Sequence, residues 1–223
     1  MSENQSKKIE DFFSRYRRVQ YKKGEAILRA HDTPSGIFCL RRGYVRVYSI
    51  SEEGQELTLA MFKPGDCFPV TWALSDIPNP YYIEALTSVA VLRAPKDKFQ
   101  EFLRQEPDTL YEIAKQILVR LHGFLNRTEH VIFGNAYTKI ASILCTYADY
   151  LGKPASPRSK AKIIIPIPLT HKDIASLVGL TRETTSIEIK KLEKKKLISR
   201  QGRFFVVQSI KRLRKEAPLD HTA

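Results

Sequence analysis

The sequence predicts an α+β chain: an N-terminal β-roll, a long dimerisation helix and a C-terminal winged helix-turn-helix. Three patterns predict it. Glycines punctuate residues 20 to 95 at intervals of 7 to 12, and apolar residues alternate at spacings of four and three through residues 108 to 133. Two short amphipathic patterns hinged at Gly179 then precede a run that doubles back near Gln201-Gly202. The expected segments are 1–107 for the roll, 108–134 for the dimerisation helix and 135–223 for the winged helix-turn-helix.

In the first segment, Gly24, Gly36, Gly43, Gly54 and Gly65 have the rhythm of turns between short antiparallel strands. Tyr44 to Ile50 and Leu57 to Met61 flank Ser51 to Glu56, where Gly54 can adopt the positive φ of a hairpin loop. In the second, Leu110, Ala114, Ile117, Leu121, Phe124, Thr128 and Val131 recur at a mean of 3.5 residues, the period of a coiled-coil seam. A helix so patterned is expected to pair with its own copy, making a homodimer. Ile113, Leu118, Leu125 and Ile132 widen the stripe, so the helix can also pack on the roll.

The third segment opens with an amphipathic helix over residues 135 to 152, carrying Ile140, Ile143, Leu144, Tyr147 and Leu151, with Gly152 and Pro154 at its exit. Lys153 to Lys162 reads as an exposed loop, and Ile163 to Pro168 as an apolar strand whose prolines suit a sheet edge. Thr170 and Asp173 have the spacing of a capping box ahead of Ile174, Ala175 and Val178. Gly179 permits a sharp turn, Leu180 packs in it and Thr181 caps a second helix whose inward face is Thr185, Ile189 and Leu192. Leu197 to Val207 reads as a β-hairpin wing.

These elements assign chemistry. The first turn of a recognition helix reaches base edges in the major groove. Arg182 can donate two hydrogen bonds to guanine and Glu183 can accept from cytosine N4, with Ser186 and Ile187 one turn further on; Ile187 can pack on a thymine methyl. Thr170, His171, Thr181 and Thr184, with Arg200, Gln201 and Arg203 at the wing, are placed for backbone phosphates.

Charge points to the same partner. The chain carries a net +13, and residues 136 to 223 hold 18 Lys+Arg against 7 Asp+Glu, whereas residues 1 to 135 hold 19 against 17. An excess confined to one segment is the footprint of a polyanion such as double-stranded DNA. No apolar run approaches the roughly 20 residues of a membrane helix, and the polar start MSENQSKK lacks the apolar core of a secretory signal, so a cytoplasmic location without membrane contact is expected. Cys39, Cys67 and Cys145 form no Cys-x-x-Cys pair and read as buried small hydrophobes, a redox-sensing thiol being the alternative. An enzymatic metal site on the roll would need clustered ligands, yet residues 20 to 95 contain only His31, so no enzyme is expected. A sensor or interaction module without DNA binding is the other rival.

The glycine-punctuated roll around Gly24, Gly43, Gly54 and Gly65-Asp66, the long helix, and Thr181-Arg182-Glu183-Thr184 followed by Lys190-Lys191-Leu192-Glu193 and Leu197-Ile198-Ser199 resemble the Crp/Fnr family over nearly the whole chain. The resemblance implies a cyclic-nucleotide-binding-like jelly roll, a homodimer on a two-fold symmetric DNA site, and control by an effector. It also implies contact with RNA polymerase, in which the stretch Lys153 to Ala161 corresponds to the touching loop of related activators; activation and repression stay equally open.

The family's effectors fit poorly. Against the Gly-Glu-Leu and Arg-Ser of a cyclic AMP pocket stand Gly65-Asp66-Cys67-Phe68-Pro69-Val70-Thr71 and Asn79-Pro80-Tyr81-Tyr82, so Val70 replaces a carboxylate, the phosphate-neutralising arginine is missing, and the adenine-contacting pair matches Phe124 and Leu125. A buried phosphate without its arginine is costly. The first cysteine is Cys39, unlike an N-terminal iron-sulfur cluster, and His31, His122, His130, His171 and His221 show no haem-ligand spacing. No cofactor or metal is therefore expected. Phe68, Trp72, Tyr81 and Tyr82, facing Phe124 and Leu125, would form a site for an uncharged or aromatic small molecule, or a region filled by its own side chains.

Overall fold

The computed structural model describes residues 2–156 and 159–218; His221 and the last five positions of the third expected segment lie outside them. The chain divides into two compact units, residues 1–121 and 122–223, and the dividing point falls inside the long helix.

The first unit begins with α1 (Glu3–Ser14), capped by Ser2, followed by β1 (Arg17–Tyr21), β2 (Ala26–Leu28), β3 (Ile37–Arg42), β4 (Val45–Ile50), β5 (Glu56–Phe62) and β6 (Cys67–Phe68). Then come α2 (Val70–Ser75), β7 (Tyr82–Ala85), β8 (Val89–Ala94), α3 (Lys96–Gln105) and the start of α4 (Pro107–Phe133). The eight strands form two antiparallel sheets, ordered β1-β8-β3-β6 and β2-β7-β4-β5. The β4–β5 hairpin turns through Gly54 at φ +77. At Gly43, also at positive φ, a Cβ would stand 2.4 Å from the Ser88 carbonyl, so the turn between β3 and β4 excludes a side chain.

β3 is buried on both faces, which explains its unbroken run Ile37-Phe38-Cys39-Leu40. Phe38 and Leu40 join Phe68, Val45, Ile83 and Val91 inside the roll, while Ile37 and Cys39 join Cys67, Phe13, Phe99 and Ile113. That second cluster is roofed by α1 and α3, where Phe12 stacks on Phe102 at 4.4 Å and 15°. Of the wider stripe on α4, Ile113 alone is buried against the roll; Leu118, Leu125 and Ile132 are 51–65% exposed.

The second unit holds the end of α4, α5 (Ala136–Leu151), β9 (Lys153–Ser156), β10 (Ser159–Ile164), α6 (His171–Val178), α7 (Arg182–Lys194), β11 (Ile198–Gln201), β12 (Phe204–Val207) and α8 (Ile210–Arg214). Its sheet runs β11-β12-β10-β9, and α5 buries Ile140, Ile143, Leu144, Tyr147 and Leu151. Two expectations are corrected. Residues 153 to 162 pair as the β9–β10 hairpin, 157 and 158 lying outside the described residues, because β9 is an edge strand on which Pro154 opposite Ile163 is tolerated. The apolar strand ends at Ile164, sandwiched between β9 and β12, so Pro166 and Pro168 follow the strand instead of edging it. No helix among the described residues is long and apolar enough to cross a membrane.

Candidate nucleic-acid interface

α6 starts on the capping box: Thr170 Oγ1 accepts from the Asp173 N–H at 3.1 Å, and Asp173 Oδ2 accepts from the Thr170 N–H at 2.7 Å. Gly179 ends it at φ +65, and Thr181 Oγ1 caps α7 by accepting from the Thr184 N–H at 3.1 Å. Two caps and one left-handed glycine thus set the angle between the helices. Thr170→Ala is expected to destabilise the second unit by about 1 kcal/mol in urea unfolding; a change within error would assign the cap no weight.

α7 buries Thr185, Glu188, Ile189 and Leu192. The opposite face is free: Arg182, Glu183 and Lys190 are exposed, Ser186 is half-buried, and Ile187 is 56% exposed. The four residues expected to read bases therefore share one surface in the first two turns. At the wing, Gly202 turns the β11–β12 hairpin at φ +58, leaving Gln201 and Arg203 exposed. Arg200 is partly committed inward, its guanidinium 3.4 Å over the Phe205 ring and donating to the Leu169 carbonyl at 3.2 Å.

His171 stands among cations. Partial burial, then Arg200, Arg182 and Lys190, hold its imidazole below the usual histidine range against the opposing pull of Glu193. A depressed value means that protonation costs free energy in the unbound protein and destabilises it as pH falls. A phosphate at His171 would reverse the cost, so binding takes up a proton. DNA affinity is expected to rise as pH falls through the histidine range, and His171→Gln should flatten that slope in anisotropy titrations; an unchanged slope would remove His171 from the contact set.

In the first unit a cleft of about 430 Å³ is lined by Phe68, Trp72, Tyr81, Phe62, Ile117 and Arg120, among others. Tyr82 points away from it and stacks on Tyr48 at 5.2 Å. Phe124 and Leu125 belong to the second unit and are 43% and 51% exposed. Sequence reasoning missed Arg120, a cation in the cleft wall. It lies over the Phe62 ring at 4.9 Å and is ion-paired with Asp66, which is 5% exposed. Nothing in the local sequence signals this pair, because 54 residues separate its members.

Residues 18–106 match the family model of the cyclic nucleotide-binding domain, and residues 138–216 match that of the Crp-like helix-turn-helix domain. The "Anaerobic regulatory protein" of Haemophilus influenzae is 24% identical, over 94% of this chain and 79% of its own. The "cAMP-activated global transcriptional regulator CRP" of Pasteurella multocida is also 24% identical, over 89% of this chain and 93% of its own. Among solved structures, FixK2 from Bradyrhizobium japonicum shares the fold with a TM-score of 0.75 at 20% identity, covering 92% of this chain and 98% of its own. With a cyclic-nucleotide-binding-type roll and a Crp-like reader in that order, and with regulators of transcription among its relatives, the chain belongs to the Crp/Fnr family of DNA-binding transcription regulators and is not an enzyme.

Proposed function

We propose that the protein works as a homodimer, joined along α4, that places two copies of α7 on a two-fold symmetric DNA site. The observation that carries this reading is the uncovered apolar face of α4: Leu110, Ile117, Leu121 and Phe124 are 37–50% exposed in a single chain. With Ala114, Thr128 and Val131 they complete the 3.5-residue seam that a second copy would bury. Arg182, Glu183, Ser186 and Ile187 read base edges, while Thr170, His171, Thr181, Thr184, Gln201 and Arg203, with what Arg200 leaves free, hold the backbone. The β9–β10 hairpin, with Lys153 and Lys162 exposed, is the surface offered to RNA polymerase.

Selection from random double-stranded DNA tests this. The enriched site should be an inverted repeat whose half-sites lie about 34 Å apart, one helical turn, or a multiple of it. Each half should contain a guanine opposite Arg182 and a thymine opposite Ile187. Enrichment of a single asymmetric half-site would defeat the dimeric reading.

The effector is an uncharged or aromatic small molecule held in the cleft. Its walls are aromatic and aliphatic, and its cation, Arg120, is already neutralised by Asp66. A cyclic nucleotide would have to break that pair to gain its phosphate contact and would find Val70 where the family places a carboxylate. A thermal-shift screen should therefore show cyclic AMP silent and flat apolar compounds stabilising.

A further inference from the structure

Cys39 and Cys67, far apart in sequence, are direct partners in the antiparallel β3–β6 pair. The neighbouring pair is the hydrogen-bonded one, since the Leu40 N–H donates to the Asp66 carbonyl at 2.9 Å. Ladder alternation makes Cys39–Cys67 the non-hydrogen-bonded pair, with Cα atoms about 4.5 Å apart and side chains at their closest. That separation lies within the span a disulfide bridges, about 4.4–6.8 Å. Both side chains leave their strands on one face, packed in the cluster with Ile9 and Ile113, and Cys67 also borders the cleft. Both are free thiols.

We propose that Cys39 and Cys67 are an oxidation site, a dithiol that a hydroperoxide converts to a cross-strand disulfide in the wall of the roll. The cleft reaches Cys67, so a small oxidant entering there meets the pair from the Cys67 side and reaches the Cys39 sulfur beside it. The S–H of Cys67 donated to Cys39 favours the Cys39 thiolate, and the same contact together with burial pushes the Cys67 thiol up. The Cys39 thiolate attacks hydrogen peroxide; an S–O bond forms, the O–O bond breaks, and the released hydroxide takes a proton to become water. The Cys67 sulfur then attacks the Cys39 sulfur. The S–S bond forms, the S–O bond breaks, and the Cys67 proton leaves with the hydroxide as a second water. Two thiols lose two electrons, and one peroxide gains them. Cys145 is an internal control, because burial pushes its thiol up to about 12 and no cysteine stands opposite it.

The test treats the full chain with hydrogen peroxide, then blocks remaining thiols with N-ethylmaleimide in denaturant and maps peptides by mass spectrometry. The expected product is a peptide pair joining Cys39 to Cys67, lighter by two hydrogens and separated again by dithiothreitol, with Cys145 still alkylated. Prior unfolding in urea should slow its formation several-fold, because the strands no longer hold the sulfurs together. Cys145→Ser should form the link at the wild-type rate and Cys39→Ser should not form it. Recovery of both Cys39 and Cys67 as alkylated peptides, a link between chains, or equally fast linkage in urea would overturn the proposal.

Discussion

Leu121→Asp should convert the protein from dimer to monomer in sedimentation velocity and weaken its binding to a two-fold site by about 10²- to 10⁴-fold, the range in which a second tethered site contributes. Leu121 lies mid-seam on α4 and is half exposed in one chain, so the substitution leaves the interior of that chain untouched. In a dimer the same position meets its copy. Two carboxylates there would lose hydration and repel each other, a penalty of several kcal/mol per ion against a seam built from modest apolar contacts. The thermal unfolding of the monomer and its weak affinity for a single half-site should persist. A variant that remained dimeric at micromolar concentration would place the pairing surface elsewhere.

The exposed apolar stripe on α4 is legible because it is periodic along one helix, as are the glycine-turned roll and the capped helices of the second unit. Local chemistry sets these elements: Gly54 and Gly179 take the conformations their turns need, and Thr170, Asp173 and Thr181 bond to groups three residues away. What escaped has a long-range cause. The β9–β10 hairpin has the composition of a loop and becomes sheet because β12 offers an edge to β10. Arg120 looks like a solvated helix residue until the roll brings Asp66 beneath it. The aromatic region was only half legible: Phe68, Trp72 and Tyr81 do line a cleft, but strand alternation turns Tyr82 to the other face, against Tyr48. Position at the wing alone suggests a free cation at Arg200, whereas its guanidinium stacks on Phe205 and donates to the Leu169 carbonyl, contacts that only the folded hairpin supplies.

Arg182→Ala should cost about 1–3 kcal/mol in each half-site and therefore about 2–6 kcal/mol for the dimer on its symmetric site. That is a loss of roughly 30-fold to 3 × 10⁴-fold. Arg182 is the first residue of α7, exposed beside Glu183 and one turn from Ile187, where the helix start presents side chains to base edges. Its fork can span guanine O6 and N7 together, so the loss should fall on the cognate sequence and bring all four bases at that position to similar affinity. Binding to random duplex should weaken only by the removed charge, with a salt slope reduced by about 1 for each half-site. Arg182→Lys separates base reading from simple attraction, because it keeps the charge and loses the planar bidentate geometry. If lysine restored cognate affinity, Arg182 would be a phosphate contact; if it left the loss and the relaxed preference largely in place, the guanidinium would be reading the base.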